Sequence, residues 1–336
     1  MGEFNFVDKN WGDREYDVTA LGELLVDFTE NGVSGQGNLL FEANPGGAPC
    51  NVLAMLAKLG KKTSFIGKVG DDFLGRHLGK VIAQAGIDSG NLIKDGEVPT
   101  TLAFVHNGVD GDRDFSFYRN PGADMCLSVE DIGGACEDRI ARSKIFHFGS
   151  LSMTHKKVRA ATVKALGIAK KAGCLISFDP NLRMVLWASQ QEAMEQIGAG
   201  MGWCDILKIS DNEIRWFTGM QDFDEGVYFL QEHYKIPLIL LSMGRDGSRA
   251  YFGKLRGQAA SYPQKNTVET TGAGDTFCAC ALYYILEHGI HGLSESGLRE
   301  MLSFANAAAA VITTRKGALR VMPSREEIEA VLKGEQ

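Results

Sequence analysis

The 336-residue chain has seven cysteines (50, 126, 136, 174, 204, 278 and 280) but no Cys-x-x-Cys pair, and they are scattered through apolar contexts. That distribution supports neither a disulfide framework nor a zinc site. We read all seven as reduced core or near-core residues of a cytoplasmic protein. Long hydrophobic runs are also missing: no stretch approaches the roughly 18 apolar residues that span a bilayer. Residues 1–16 are polar, mixed in charge and without an apolar h-region, so we expect a loose N-terminal extension there and no secretory signal. Positive charge is short as well. With 35 Lys and Arg against 42 Asp and Glu, the formal net charge is −7, which gives no electrostatic case for nucleic acid or an anionic membrane as partner. Internal repeats, low-complexity tracts and an interdomain linker are not evident. The remainder, 44% hydrophobic and 23% charged, is ordinary globular composition with enough apolar residues for a sizeable core. Length alone allows two domains or one large α/β domain.

The most informative stretch is Thr270-Thr-Gly-Ala-Gly-Asp275, just before the apolar run Phe277–Leu286. The run reads as a buried helix, with Gly272, Ala273 and Gly274 at its N-terminus. Amides there lack intrahelical partners and the helix dipole is positive, so an anion can bind. Without side chains the glycines let a phosphate approach the backbone closely. Asp275 then sets a carboxylate at the mouth of the same site. An acid repels phosphate, so binding is a poor task for it; accepting the proton of an attacking hydroxyl is a good one. On these residues alone, a glycine turn capped by Asp275 is an equally good account.

A second glycine-rich helix entry occurs at Pro45-Gly-Gly-Ala-Pro-Cys-Asn51, where Pro49 suits a first turn and Val52, Leu56 and Leu59 follow at helical spacing. Gly46 and Gly47 either expose amides to a polar ligand, with Asn51 in the first turn, or simply make a tight strand-to-helix turn. Asp17–Phe28 reads as one strand broken at Gly22. Its Asp27 is either a solvent-facing strand end or a buried acceptor for ligand hydroxyls. Thr100–His106 and Asp114–Arg119 flank the turn Asn107–Asp112 and read as a hairpin. With residues 22–44 they suggest a small antiparallel sheet. Arg119 either points into a site or is an exposed strand arginine.

Elsewhere the pattern is regular. Strands are expected at 63–69, 144–149, 174–179, 206–209, 238–242 and 249–252. Helices are expected at 73–85, 156–171, 190–201, 211–218, 224–233, 276–287, 297–314 and 325–333. Alternation of this kind implies βαβ units around a mostly parallel sheet, with ligands beyond the carboxyl ends of its strands. The polar or glycine-bearing segments 179–183, 210–213, 242–247 and 270–275 fall at those ends.

These residues carry a resemblance. Gly22-Glu-Leu-Leu-Val-Asp-Phe28, Pro45–Asn51, Phe65-Ile-Gly-Lys-Val-Gly-Asp-Asp72, Thr100–Phe104, Phe117-Tyr-Arg119, Asp179-Pro-Asn-Leu-Arg183, Thr270–Asp275 and Phe304-Ala-Asn-Ala307 resemble the PfkB-type (ribokinase-like) carbohydrate kinases, nearest the fructokinases among them. The resemblance covers about residues 17–332. It implies a three-layer α/β/α sandwich over 17–333, with lid strands inserted from about 22–44 and 98–121 and a homodimer formed through the lid. It also implies Asp275 as the base and Gly272, Ala273 and Gly274 as the anion hole. Asp27, Gly46, Gly47, Asn51, Phe104, Arg119 and Arg183 would hold the sugar. Lys208, Ser210, Ser242, Gly244, Gly247, Thr271 and Asn306 would hold ATP, and Glu213 would organise Mg²⁺ through water. Three positions depart from the pattern. Ser210 stands where Asn is usual, Cys50 replaces Ala, and Glu269 stands where many members have an Asp in a monovalent-cation (K⁺) site.

The activity implied is transfer of the ATP γ-phosphoryl group to a primary sugar hydroxyl, first of all D-fructose O6. Ribose, a nucleoside, an aminoimidazole riboside or 2-keto-3-deoxygluconate are alternative acceptors, the last because Arg119 and Arg183 could pair with its carboxylate. A catalytically silent sugar or nucleotide sensor is a reading of another class. A dinucleotide oxidoreductase fits poorly, because Gly46-Gly47 lacks the Gly-x-Gly-x-x-Gly spacing after the first strand.

Overall fold

Glycines and short polar capping residues punctuate the chain into thirteen strands and ten helices in the computed structural model, which describes residues 11–107 and 113–334. In order these begin with β1 (Tyr16–Leu21), β2 (Leu25–Val33), β3 (Leu39–Gly46), α1 (Ala48–Lys58), β4 (Thr63–Gly70), α2 (Phe73–Gln84) and β5 (Ile87–Asp95). β6 (Leu102–Asn107), β7 (Arg113–Tyr118) and α3 (Ala135–Ala141) follow. Strands and helices then alternate through β8 (Ser143–Gly149), α4 (Lys156–Lys171), β9 (Leu175–Asp179), α5 (Gln190–Met201), β10 (Ile206–Ser210), α6 (Asp211–Thr218), α7 (Phe223–Tyr234) and β11 (Leu238–Ser242). The chain closes with β12 (Ser248–Phe252), β13 (Leu255–Ala259), α8 (Ala273–His288), α9 (Glu295–Ile312) and α10 (Arg325–Lys333).

The large sheet has nine strands in the order β13-β12-β11-β10-β9-β8-β1-β4-β5. From β11 to β5 all neighbours are parallel, and the β11–β12 and β12–β13 pairs are antiparallel. Both faces are covered. One core packs α1, α2, α8, α9 and α10 against the sheet, and the other packs α3 to α7. Period-two alternation decides which side chain joins which core: Leu238 and Leu240 of β11 face α8 and α9, whereas Ile239 and Leu241 face the opposite layer. This is the three-layer α/β/α sandwich that the alternating pattern implies.

A second sheet, β3-β2-β6-β7, stands apart. The strand expected over Asp17–Phe28 with a break at Gly22 is two strands in different sheets, and the chain turns at Gly22, where a Cβ would lie 2.6 Å from Pro49 Cγ. The small sheet is mixed rather than antiparallel. β2 pairs antiparallel with β3 but parallel with β6, since α2 and β5 intervene before the chain returns. β6 and β7 pair antiparallel from Leu102–Tyr118 onward, while most of the expected turn, 108–112, lies outside the described residues, as do 1–10 of the N-terminal extension. β5, β13 and α3 had no counterpart in the sequence reading. β5 is an edge strand with polar text (Asp88, Ser89, Asn91), so its alternation is weak.

Local chemistry accounts for several boundaries. Ser210 with Glu213, and Ser324 with Glu327, form reciprocal capping boxes at α6 and α10, and Asp72 caps α2. All seven cysteines are free, six of them buried. Among the described residues no helix is long and apolar enough to cross a membrane.

Candidate active site

The face of the large sheet that packs on α1 and α8 is apolar at the amino ends of the central strands and polar toward their carboxyl ends. On β9, Leu175 is followed on the same face by Ser177 and Asp179; on β10, Ile206 is followed by Lys208; on β8, Ile145 is followed by His147. All of these polar side chains are buried. Lys208 Nζ lies 3.1 Å from Asp179 Oδ2, and it would sit 3.0 Å from a Cβ placed on Gly274. Burial disfavours the ammonium, but Asp179, Glu213 and Asp275 outweigh that and hold Lys208 charged, above its ordinary value. Removing either partner of this pair would leave a lone buried charge, at a cost of about 3–5 kcal/mol.

Above that layer lies the N-terminus of α8. Gly272 takes the helix N-cap position with φ 76°, a left-handed conformation that favours glycine, and a Cβ there would also strike Ala318 Cβ at 2.7 Å. The Ala273 amide turns back to the Thr270 carbonyl at 3.2 Å. The next amides, of Gly274 and Asp275, precede the first helical hydrogen bond and carry the positive end of the dipole. Asp275 stands in this first turn, 8% exposed, and its Oδ2 accepts a 2.8 Å hydrogen bond from Asn51 Nδ2. Burial raises its pKa, while Asn51, Lys208 and Arg183 work the other way. Such an acid has a strengthened affinity for a proton, as a general base requires.

Two cavities meet here. The first, about 390 Å³, is bounded by Glu23, Leu25 and Asp27 of the β1–β2 region, Gly47, Ala48 and Asn51 at the start of α1, and Phe117 and Leu151. Its other wall is Asn181, Arg183, Lys208 and the Thr270–Asp275 segment. The second, about 440 Å³, is bounded by Ser242, Gly244, Gly247, Tyr262, Phe277, Asn306, Ala309, Ala310 and Thr313 among others. Thr270 and Gly274 line both. Among the described residues Asp275 therefore sits next to the residues the two cavities share.

The first cavity is rich in carboxyls. Burial pushes Asp27 up to about 7, with Arg183 opposing the rise and Glu269 and Asp275 adding to it. Burial does the same to Glu23, also to about 7. Gly46, the last residue of β3, is required beside Asp27, because a Cβ there would lie 2.1 Å from Asp27 Oδ2. Arg183 donates to the Leu182 carbonyl at 3.1 Å and borders the same space.

Several expected contacts lie elsewhere. Phe104 is stacked on Phe28 at 5.0 Å and edge-on to Phe41 and Tyr118, so it belongs to the aromatic cluster of the small sheet; Phe117 faces the cavity in its stead. Arg119 is 6% exposed and outside the cavity wall. It pairs with Asp124 and donates to Thr154 Oγ1 at 2.9 Å and the Leu151 carbonyl at 3.0 Å. Both Glu213 oxygens are taken, one by the Leu182 amide and the other by the Ser210 amide and hydroxyl, each at 2.8 Å. Burial opposes its ionisation, yet Lys208 and these donors hold its carboxyl below the usual range. Ser210 is correspondingly a helix cap and borders neither cavity. Asn306 borders the second cavity, but its Oδ1 accepts from Ser248 and its Nδ2 donates to the Ala259 and Ala260 carbonyls. Thr271 lines the first cavity, and Glu269, which accepts from the Gly317 amide at 3.2 Å, lines a small adjoining hollow with Asp27 and Asn44.

Sequence reasoning passed over Glu23 as a site residue and reached Asn181 and Thr270 only as members of the segments 179–183 and 270–275. Glu23 was discoverable, since an acid between Gly22 and Leu24-Leu25 is as anomalous as Asp27. Residues 262–267 and Ala309, Ala310 and Thr313 gave no signal, because small and polar residues that border a nucleotide-sized cavity look like any loop or helix.

An acid placed where two cavities join, at a helix N-terminus beside a buried lysine, defines a group-transfer enzyme on an α/β/α sandwich. The family of pfkB carbohydrate kinases matches residues 16–325. The chain belongs to that family, and is a carbohydrate kinase. Among its relatives, probable fructokinase-4 of Arabidopsis thaliana is 39% identical over 319 residues, covering 94% of this chain and 97% of the relative. A solved fructokinase with bound ATP from Xylella fastidiosa superposes with TM-score 0.85 at 27% identity, over 95% of this chain and 98% of that one. A fructokinase from Vibrio cholerae O395, solved with fructose, ADP and calcium ion, gives TM-score 0.83 at 28% identity, over 95% of this chain and 100% of that one.

Proposed function

We propose that this chain transfers the γ-phosphoryl group of ATP to O6 of D-fructose, giving fructose 6-phosphate and ADP. The observation that carries the reading is the junction of the two cavities at Thr270 and Gly274, with Asp275 beside it. The sugar occupies the first cavity, where Asp27 and Asn51 meet its hydroxyls, and the nucleotide occupies the second. Asp275 accepts the proton of the attacking hydroxyl as its oxygen bonds to phosphorus and the bond to the leaving ADP oxygen breaks. The first amides of α8 face the charge that develops on the transferred group. Lys208, held charged by its acidic neighbours, lies beside Gly274 at that end of the cavity.

A divalent metal, which we take to be Mg²⁺, would neutralise phosphate charge when bound. Among the described residues no cluster of three His, Cys, Asp or Glu could hold it. That fits an ion carried mainly by phosphate oxygens and water, with Glu213, which already accepts from Leu182 and Ser210, acting through water. Glu269 remains the candidate for a monovalent cation, K⁺.

The fructokinase relatives support fructose as the acceptor, and the cavity supports a neutral one. Three carboxyls, Glu23, Asp27 and Asp275, line it together with Arg183 and Lys208. A keto acid would add a further anion to that set.

We further assign residues 17–333 to one kinase domain with the small sheet as its lid. The exposed apolar side chains of that sheet, Val33 (63%), Leu39 (58%) and Tyr118 (65%), suit a homodimer through the lid, which the molar mass in solution tests. The free cysteines suit the cytoplasm. An ADP-release assay over a panel of fructose, ribose, nucleosides and 2-keto-3-deoxygluconate tests the reaction. Fructose is expected to give the highest kcat/KM, and faster turnover of the keto acid, or no ADP release with any acceptor, would overturn the assignment.

A further inference from the structure

Helix α1 begins without a cap of its own. Its N-cap residue is Gly47, its first turn holds no acid, and Pro49 leaves one amide absent. The acceptor comes from elsewhere: Glu23 Oε1, 25 residues earlier, takes the Ala48 amide at 2.8 Å. Two steric facts fix the same join. A Cβ on Gly47 (φ 125°) would lie 2.4 Å from the Glu23 carbonyl oxygen, and one on Gly22 would lie 2.6 Å from Pro49 Cγ. The turn before β2 and the entry to α1 are thus pressed together, and the Glu23 side chain ties them through the Ala48 amide.

One turn further along α1 comes Asn51, whose amide bonds to the Gly47 carbonyl at 2.9 Å. Its side chain is 4% exposed and donates to Asp275, while its Oδ1 is buried without a partner. An amide so placed fixes the rotation of the base and leaves one oxygen of Asp275 uncommitted to it. Its own orientation depends on where the first turn of α1 sits.

We propose that Glu23 is a positioning residue for phosphoryl transfer: it holds the Ala48 amide, which sets the first turn of α1 and with it the Asn51 amide that orients Asp275. The inference rests on the kinase reading above. It assigns Glu23, which also borders the sugar cavity, an effect on the base. Asn51 donates to the ionised form of Asp275, so a slack first turn also makes Asp275 easier to protonate. The other charges facing Asp275 are Lys208 on β10, Asp179 on β9, Arg183 beyond β9 and Asp27 on β2. Arg119 and Asp124 are the charges facing Glu23. None of these is changed by the substitutions below.

The test compares Glu23→Ala, Glu23→Leu and Glu23→Gln in the full chain, with kcat, fructose KM and the pH profile of kcat measured and folding checked by circular dichroism. Glu23→Ala and Glu23→Leu are expected to lower kcat about 10- to 100-fold, the scale of a base displaced by about 1 Å, with fructose KM changed less than about threefold. Their acid limb of kcat is expected to move to higher pH. Glu23→Gln keeps an acceptor for the Ala48 amide and is expected to recover most of the loss. Adding Glu23→Ala to Asn51→Ala is expected to cost little beyond Asn51→Ala alone. The proposal is overturned if Glu23→Gln is as impaired as the apolar variants, if KM alone responds, or if the double variant is additive. Should the apolar variants not fold, the position of the Glu23→Gln acid limb decides: unchanged supports the proposal, displaced overturns it. An unmodified chain that releases no ADP with any sugar would instead sink the kinase reading itself.

Discussion

Replacing Asp275 with Asn separates a base from a structural acid. The substitution is nearly isosteric, and the contact with Asn51 at 2.8 Å can be remade by rotating one amide, so the first turn of α8 keeps its partner. What disappears is the proton acceptor. General-base catalysis contributes typically about 10²- to 10⁴-fold, and at about 1.36 kcal/mol per factor of ten that is roughly 3–5 kcal/mol of barrier. The expected result is a kcat lowered by about that factor, with dissociation constants for fructose and a non-hydrolysable ATP analogue changed by less than about threefold in calorimetry. Stability is expected to move the other way. Burial raises the pKa of Asp275 above its unfolded value, so its ionised form weighs against the fold as pH rises, and a neutral amide relieves that. The midpoint of thermal unfolding at neutral pH is therefore expected to stay or rise. An Asn variant within tenfold of the unmodified kcat, or one that had lost fructose binding along with turnover, would refute the reasoning.

Three further outcomes follow from particular contacts. Gly47→Ala places a Cβ 2.4 Å from the Glu23 carbonyl at φ 125° and is expected to cost about 1–3 kcal/mol of stability in urea unfolding and to raise fructose KM; unchanged values of both would show that the join has slack. Ala310→Leu narrows the second cavity and is expected to raise the KM for ATP about tenfold or more while leaving fructose KM in place, and the reverse pattern would exchange the two cavities. His147 is buried against Ser177 and near Lys208, and burial above all holds its pKa down to about 3. Its folded value lies below the unfolded one of about 6.5, so the stability it contributes is present above pH 6.5 and is lost as pH falls toward 3. Between pH 7 and pH 5 the unmodified protein is expected to lose about 2 kcal/mol more than a His147→Asn variant. Glu23, Asp27 and Asp179 titrate in both proteins and so cancel from the comparison. Parallel pH curves would show that burial does not lower the pKa of His147 below its unfolded value.

The alternating half of the fold was readable because its elements obey one periodicity each. β11 and α4 appear at the residues where apolar spacing put them. Reading failed where periodicity is weak or shared. β5 is a polar edge strand, and the break at Gly22 was visible, but nothing local told that β1 and β2 on either side of it join different sheets. Asp275 was legible because an acid after a Gly-Ala-Gly run is chemically odd. Arg119 and Glu213 were visible as charges, yet nothing local told that Asp124 and the α6 cap engage them.

The order of residues by itself determined the layer scheme, the helix boundaries that carry caps, and the presence of a glycine-rich anion site followed by one acid. Those are matters of a few neighbouring residues, and near neighbours are fixed by covalent spacing. Which groups share a cavity was decided only in three dimensions. Asn51 and Asp275 are 224 positions apart and touch because α1 and α8 lie on one face of the sheet. Lys208 lies beneath Gly274 because every second residue of a strand faces the same way, and packing selects which face meets which helix.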